Sequence, residues 1–199
     1  RFDCSSGILR QVWRFTPDGV LPSPQQVADL LPFIGWDRVQ LNADSILLPL
    51  QMQLDFGGIG KEYAADRCAM LAQHWGIEHC LINLGGDIAS AGKCVNGAWW
   101  QVGIEAVYPL GQIWQSVPLG QGGMATSGDS VRFVEANGQR YGHIIDARTG
   151  WPLSDAPRSV TVAAPNCTEA GMLSTLAILH GQQAEHFLQQ TGRPFWLQW

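Results

Sequence analysis

The sequence predicts an α+β fold, a largely antiparallel sheet with packed helices, in a single domain spanning residues 1–199. Three observations predict it. Asn96-Gly97 and Asn137-Gly138 are two-residue hairpin signals, because type I′ turns need positive φ at both central positions. Apolar residues at helical spacing recur in segments that open on a capping residue or close on Gly. The two kinds of segment are intermixed, with no repeat, charge block or low-complexity linker between them.

The elements follow in order. Ser23-Pro24-Gln25-Gln26 reads as a helix start, with Ser23 as N-cap, Pro24 in the first position and Gln26 three residues after the cap. That helix is expected to run to about Leu31. Val39–Asn42 and Ile46–Leu54 read as strands around the turn Ala43-Asp44. A glycine-rich turn, Asp55 to Lys61, leads into a helix whose Ala65, Cys68, Leu71, Ala72 and Trp75 share one face, ended by Gly76. His79–Leu84 is an expected strand stopping at Gly85-Gly86-Asp87. Asn96-Gly97 turns a hairpin into Trp99–Ile104. Thr126, Ser127, Gly128 and Asp129 read as a short polar turn. The Asn137-Gly138 hairpin follows, and then a second polar turn holding His143, Asp146, Arg148 and Thr149. Antiparallel strands would bring those two polar turns to one end of the sheet. Ser159–Ala164 reads as a strand, Thr168–His180 and Gln183–Gln190 as helices, and Phe195–Trp199 as a closing strand.

Composition narrows the function. The 12 basic residues are scattered and the net charge is −5, which argues against a nucleic-acid partner, whose binding rests on phosphate neutralisation. Apolar runs such as Ile46–Leu50 are far shorter than the ~20 residues of a spanning helix. The five cysteines form no CxxC pair, so they suggest neither a zinc site nor a disulfide framework. They are expected to be reduced and mostly buried. The chain opens Arg1-Phe2-Asp3 without Met or a signal-type h-region, and is expected to be processed, trimmed or a fragment.

Several motifs carry chemistry. Gly58-Ile59-Gly60 lacks the third small residue of a dinucleotide fingerprint, and Asp55 and Glu62 break a P-loop pattern. Two readings stand for this turn: a plain connector, or backbone N–H groups facing an anion with Lys61 adding positive charge. Asn83-Leu84-Gly85-Gly86-Asp87 is equally a tight turn capped by Asp87 or a close approach of backbone to a ligand. His143 is either structural or catalytic; imidazole suits general-base work near neutral pH. Ser127 sits in Thr-Ser-Gly-Asp and not in a nucleophile elbow.

Taken together, FDCSSGILRQVWRF, DFGGIGKEYAAD, NLGGDI, WWQVGIE, ATSGD, HIIDARTG and SVTVAAPNCTEA occur in the order found in the ApbE flavin transferases, and the chain resembles that family over essentially its whole length. The resemblance implies an ApbE-like, T-fold-like architecture. It also implies that this chain lacks an N-terminal portion, which in the family often follows a lipoprotein signal and supplies part of the flavin pocket. The activity implied is that of a FAD:protein FMN transferase. FAD is cleaved with Mg²⁺, FMN is attached to a Thr or Ser of an acceptor protein, and AMP is released, on the periplasmic side of the bacterial inner membrane. A pyrophosphate substrate needs positive charge, N–H donors and a magnesium ion. By position, the resemblance places Phe2, Asp3, Asp55, Lys61 and Ile144 against FAD. Thr126, Ser127, Gly128 and Asp129 line the phosphate and metal region. His143 is the base that activates the acceptor hydroxyl. Gly58 supplies a metal-facing carbonyl, with Ser174 and Thr175 as metal-side hydroxyls.

The chain departs from the family pattern at three positions. The family's metal helix carries an Asp four residues before the Thr, on the same face; here Gly171 stands in its place. Glu169 lies about 200° around the helix and is no substitute. Glu62 stands where the family usually has Gly, and Ala147 where it usually has Pro. Loss of one anionic ligand is expected to weaken Mg²⁺ binding, and a Gly171→Asp change to tighten it. Two alternatives follow: a FAD-binding protein without transferase activity, or a FAD pyrophosphatase in which water replaces the acceptor.

Overall fold

The computed structural model describes residues 1–16 and 18–199. Its helices are α1 (Pro24–Leu30), α2 (Gly60–His74), α3 (Cys167–His180) and α4 (Ala184–Thr191). The strands begin with β1 (Gln40–Leu41), β2 (Ile46–Leu47), β3 (Cys80–Leu84), β4 (Asp87–Ala91), β5 (Trp100–Glu105), β6 (Ile113–Leu119) and β7 (Gly122–Gly128). They continue with β8 (Phe133–Ala136), β9 (Gln139–Gly142), β10 (Ile145–Asp146), β11 (Trp151–Pro152), β12 (Ser159–Ala164) and β13 (Phe195–Gln198). Every strand pair is antiparallel, as the α+β reading expects. The chain packs as two compact units, each drawn from two separate stretches.

The first unit combines Arg1–Phe56 with Val131–Ser154. Its core is Ile8, Leu9, Trp13 and Val27, ringed by Phe15, Tyr141 and Trp151. Trp13 stacks on Phe15 and meets Trp151 edge-on, both at 5.1 Å, and its indole N–H donates to the Gly150 carbonyl at 2.9 Å. This satisfies the polar end of the most deeply buried aromatic. α1 starts as its sequence requires: the Gln26 amide donates to Ser23 Oγ, and the Ser23 amide to Gln26 Oε1. Asn137 and Gly138 turn the β8–β9 hairpin at φ of 54° and 74°, the type I′ signature.

The second unit combines Gly57–Ser130 with Asp155–Trp199. Its five-stranded sheet runs β13-β12-β7-β4-β3. α2 and α3 pack on this sheet, and α4 packs on α3. Val102, Ile104, Val117 and Leu119 of the β5–β6 pair close a core with Ile88 and Met124 of the sheet. β4 is buried along its whole length, as a strand with both faces covered must be.

Five expectations need correction. Strands β1 and β2 are two residues each, because Pro49 has no N–H with which to extend the ladder. Asn96-Gly97 turns no hairpin: the loop closes on itself through Cys94 and Ala98, and β5 pairs with β6. Thr126 to Gly128 are not a turn but the end of β7, registered against Ser159–Thr161. α2 buries Glu62, Ala65, Ala69 and Ala72, while Cys68, Leu71 and Trp75 are exposed, so the helix face is rotated from the expected one. All five cysteines are free thiols, but only Cys167 is buried. Burial, reinforced by Asp87, Asp66 and Glu62 nearby, pushes the Cys167 thiol far above its ordinary range.

Candidate functional site

In the second unit the pleat of β7 sorts the expected site residues. Side chains alternate along a strand, so Ser127 shares the α3 side with Gly123 and Ala125. Its hydroxyl hydrogen-bonds Ser174 Oγ at 2.8 Å and Thr175 Oγ1 at 3.0 Å. Thr126 points to the opposite face and hydrogen-bonds Thr161 at 2.8 Å. Asp129 pairs with Arg158, whose carbonyl crowds Gly128 so closely that only glycine fits there. Ser127, Ser174 and Thr175 are therefore brought together, and Thr126 is not part of their cluster.

Lys61, in the first turn of α2, pairs with Asp87 at the start of β4. Asp87 is buried and follows the Gly85-Gly86 turn, where φ is 68° and 98°. Gly58 lies in the turn two residues before α2. The next residue on the helix, Glu62, is only 6% exposed, and its Oε2 is buried without a hydrogen-bond donor. Burial raises the Glu62 pKa, and the charge of Asp87 adds to the rise. Bonding to backbone and the charge of Lys61 act the other way.

Gly171 explains how Glu62 fits. A Cβ at position 171 would lie 2.5 Å from Glu62 Cγ and 2.9 Å from its Oε1. This corrects the expectation for Gly171→Asp: in this chain the new side chain meets Glu62, and it does not enter open space. Glu169 is committed elsewhere, accepting from Arg193 Nε at 2.7 Å. The N-terminus of α3 is held from α2, where the Asp66 carboxylate accepts from the amides of Cys167 and Thr168 and from the Thr168 hydroxyl.

In the first unit, Phe2 and Asp3 line a cleft of about 310 Å³ with Arg1, Leu31, Ile34, Ala147 and Arg148. Two aliphatic chains and one aromatic ring beside charged groups suit a flat, partly polar ligand. Burial works to raise the Asp3 pKa. Hydrogen bonds from the Ser5 hydroxyl and amide and from the Trp36 amide outweigh it, and hold the carboxyl below its ordinary range. The Asp55 amide donates to the Cys4 carbonyl, and its carboxylate pairs with Arg10 at 3.5 Å. His143 is half-buried, with Nδ1 3.2 Å from the Arg132 carbonyl and its ring edge-on to Phe15; Ile144 follows it, also half-buried.

Asp146 anchors the second polar turn. Its carboxylate accepts from the Arg148 amide at 3.0 Å and guanidinium at 2.9 Å, and Arg1 stands at 3.7 Å. Burial raises the Asp146 pKa, but these partners more than reverse it, so the folded value lies below the ordinary 3.8. A depressed carboxylate stabilises the fold above the unfolded pKa and loses that contribution as pH falls through the folded one. Asp146→Asn is therefore expected to cost about 1.5–3 kcal/mol at pH 7, the range for hydrogen bonds to a charged group. The gap from the unsubstituted chain should shrink below about pH 4. Urea denaturation at pH 7 and pH 3 measures both; an equal gap at the two pH values would rule out the ionised carboxylate as its source.

Among the described residues no three His, Cys, Asp or Glu side chains gather around a common point. A metal ion bound by the second unit would thus rest on one or two carboxylates with hydroxyl, carbonyl and water oxygens, which is the donor set of Mg²⁺. The orphaned Glu62 Oε2 beside the side-chain-free Gly171 fits such an ion. Sequence reasoning missed that Glu62 packs against Gly171, with Asp87 in electrostatic reach. The available signal was that positions 62 and 171 depart from the family pattern together, in opposite senses.

The chain can now be set beside known proteins. A family model described as the ApbE family matches residues 1–195. A Haemophilus influenzae protein named FAD:protein FMN transferase is 31% identical over 191 residues, covering 90% of this chain and 55% of the relative. A Salmonella typhimurium protein of the same name is 32% identical over 200 residues, covering 96% and 57%. The chain thus spans little more than half the length of these curated relatives. The crystal structure of the ApbE protein from Thermotoga maritima superposes with a TM-score of 0.87 at 27% identity, covering 98% of this chain and 66% of that one. The flavin transferase ApbE from Vibrio cholerae gives 0.79 at 27% identity, covering 98% and 64%. With its fold, its motif order and nearly all of its length matched, the chain belongs to the ApbE family.

Proposed function

We propose that the chain is the core of a Mg²⁺-dependent FAD:protein FMN transferase acting on the periplasmic side of the bacterial inner membrane. The observation that carries the reading is Glu62 packed against Gly171 of α3, within electrostatic reach of Asp87, one helical turn from the Thr175 hydroxyl that Ser127 gathers with Ser174. One or two carboxylates with further oxygen donors are what a phosphate-bound magnesium ion requires. Lys61, in the same unit, adds positive charge for the FAD pyrophosphate, and Phe2 and Asp3 are positions that the family resemblance assigns to FAD. When bound, Mg²⁺ would neutralise charge on the pyrophosphate oxygens. The acceptor hydroxyl oxygen forms a bond to the FMN phosphorus, the pyrophosphate P–O bond breaks, and AMP leaves with the bonding pair. The hydroxyl proton passes to His143.

Incubation of the protein with FAD, Mg²⁺ and a flavin-acceptor domain tests this. AMP together with a covalently fluorescent acceptor is the expected result, and a metal chelator should abolish both. AMP without labelled acceptor would replace transfer with FAD hydrolysis. Bound FAD without AMP at any Mg²⁺ concentration would reduce the protein to a flavin binder.

A further inference from the structure

Glu62 is a buried carboxylate with one oxygen, Oε2, that meets no hydrogen-bond donor among the described residues. It lies on the inner face of α2 among alanines, 6% exposed, with Oε2 wholly enclosed and unpaired. Lys61, adjacent in sequence, is paired with Asp87. Asp87 is close enough to Glu62 for its charge to be felt there, so a second anion faces the first. Leaving a charged group buried and unpaired is among the costliest arrangements a fold can hold. A carboxylate in that position is either protonated or compensated by a cation.

The position of the carboxylate indicates which. Glu62 Cγ, Cδ and Oε1 lie 2.5, 3.0 and 2.9 Å from where a Cβ on Gly171 would stand. Glu62 thus fills the volume in which a side chain at 171 would begin. Position 171 is one helical turn from Thr175, on the same face of α3. Ser174 and Thr175 there present hydroxyls already gathered by Ser127. A carboxylate from α2 reaches the place that a carboxylate from α3 would otherwise serve.

We infer that Glu62 is an acidic ligand of a divalent cation, delivered from α2 in exchange for one at position 171, so that the two positions form a reciprocal pair of which only one carries a carboxylate. The ion is of the hard, oxygen-preferring class of Mg²⁺ or Mn²⁺. The inference rests on the transferase reading for the identity of the site, but concerns which residue holds the ion.

The test is direct binding of Mn²⁺ to the full chain with FAD present, followed by the loss of the free-ion paramagnetic signal, alongside thermal unfolding without metal. Glu62→Gln is expected to weaken Mn²⁺ binding at least tenfold while the metal-free protein unfolds at the same or a higher temperature. Gly171→Asp alone should lower the unfolding temperature, since its side chain meets Glu62. The double change Glu62→Gly with Gly171→Asp should fold and recover binding to within about threefold, well under that loss. Unaltered Mn²⁺ binding in Glu62→Gln would overturn the inference and leave Glu62 as a protonated core residue, as would failure of the unsubstituted chain to bind Mn²⁺. The two readings fail separately. Glu62-dependent binding without FMN transfer rejects only the transferase reading; FMN transfer with Glu62-independent binding rejects only this one.

Discussion

Gly123→Ala is expected to destabilise the protein by about 3 kcal/mol or more, lowering its melting temperature by about 6–12 °C for a chain of this size. Intrinsic preference alone points the other way, because Ala is favoured over Gly in a strand by about 0.5–1 kcal/mol. The sign is reversed by position. Gly123 sits in β7 between Ala89 of β4 and Ala164 of β12, facing the start of α3. A Cβ there would lie inside the contact distance of the Cys167 nitrogen and Cα and the Asn166 carbonyl carbon, all of them backbone. Backbone atoms have no rotamer in which to retreat. The helix would have to move, and its first turn is held by Asp66 through the Cys167 and Thr168 amides. Thermal unfolding followed by circular dichroism gives the answer. An unchanged or raised midpoint would mean that α3 does not press on β7 as described.

His143→Ala is expected to slow FMN transfer by about 10²–10⁴-fold, the usual contribution of a positioned general base, while FAD affinity stays within a few fold. The Arg132 carbonyl 3.2 Å from Nδ1 can only accept, so Nδ1 carries the proton and Nε2 is the basic nitrogen. Phe15 packs edge-on to the ring at 6.4 Å and helps to fix its plane. A base held in one tautomer is what hydroxyl activation asks for. Single-turnover transfer to the acceptor domain, with FAD binding measured in parallel, separates chemistry from binding. A transfer rate within threefold of the unsubstituted protein would remove His143 from the mechanism.

What the sequence made legible had a local cause. The Ser23–Gln26 capping box, the Asn137-Gly138 turn and the β-branched Ser159–Ala164 strand each act over a few residues, and each stands where it was expected. β7 was opaque because GGMATSG carries no apolar period. Buried over Gly122–Ala125 and pressed there by α3, the strand needs small residues, and small residues also spell a turn. The rotated face of α2 has the same origin. Alanines let the helix lie close to the sheet, so burial followed size and not hydrophobicity, and Trp75 was left outside. For the site, the family resemblance singled out Ser174 and Thr175, and both hydroxyls bond Ser127. Glu62 was not, because a glutamate in a first helical turn is ordinarily solvated, and only the missing side chain at Gly171 shows where it goes.

The two units are interleaved along the chain, and this has a consequence in time. The first needs Val131–Ser154 to complete a core begun at Ile8. The second needs β12, which arrives after that insertion, to flank β7, and β13 to flank β12. A ribosome delivers residues from the N-terminus at about 5–20 per second, so neither unit can close as an early, self-sufficient domain. The middle strand of the larger sheet, β7, waits unpaired on one edge until β12 has emerged. Pairings this distant in sequence fold slowly. The nascent chain therefore carries an open sheet edge while residues 129–158 are made, which is the interval in which a chaperone or a premature stop would matter most.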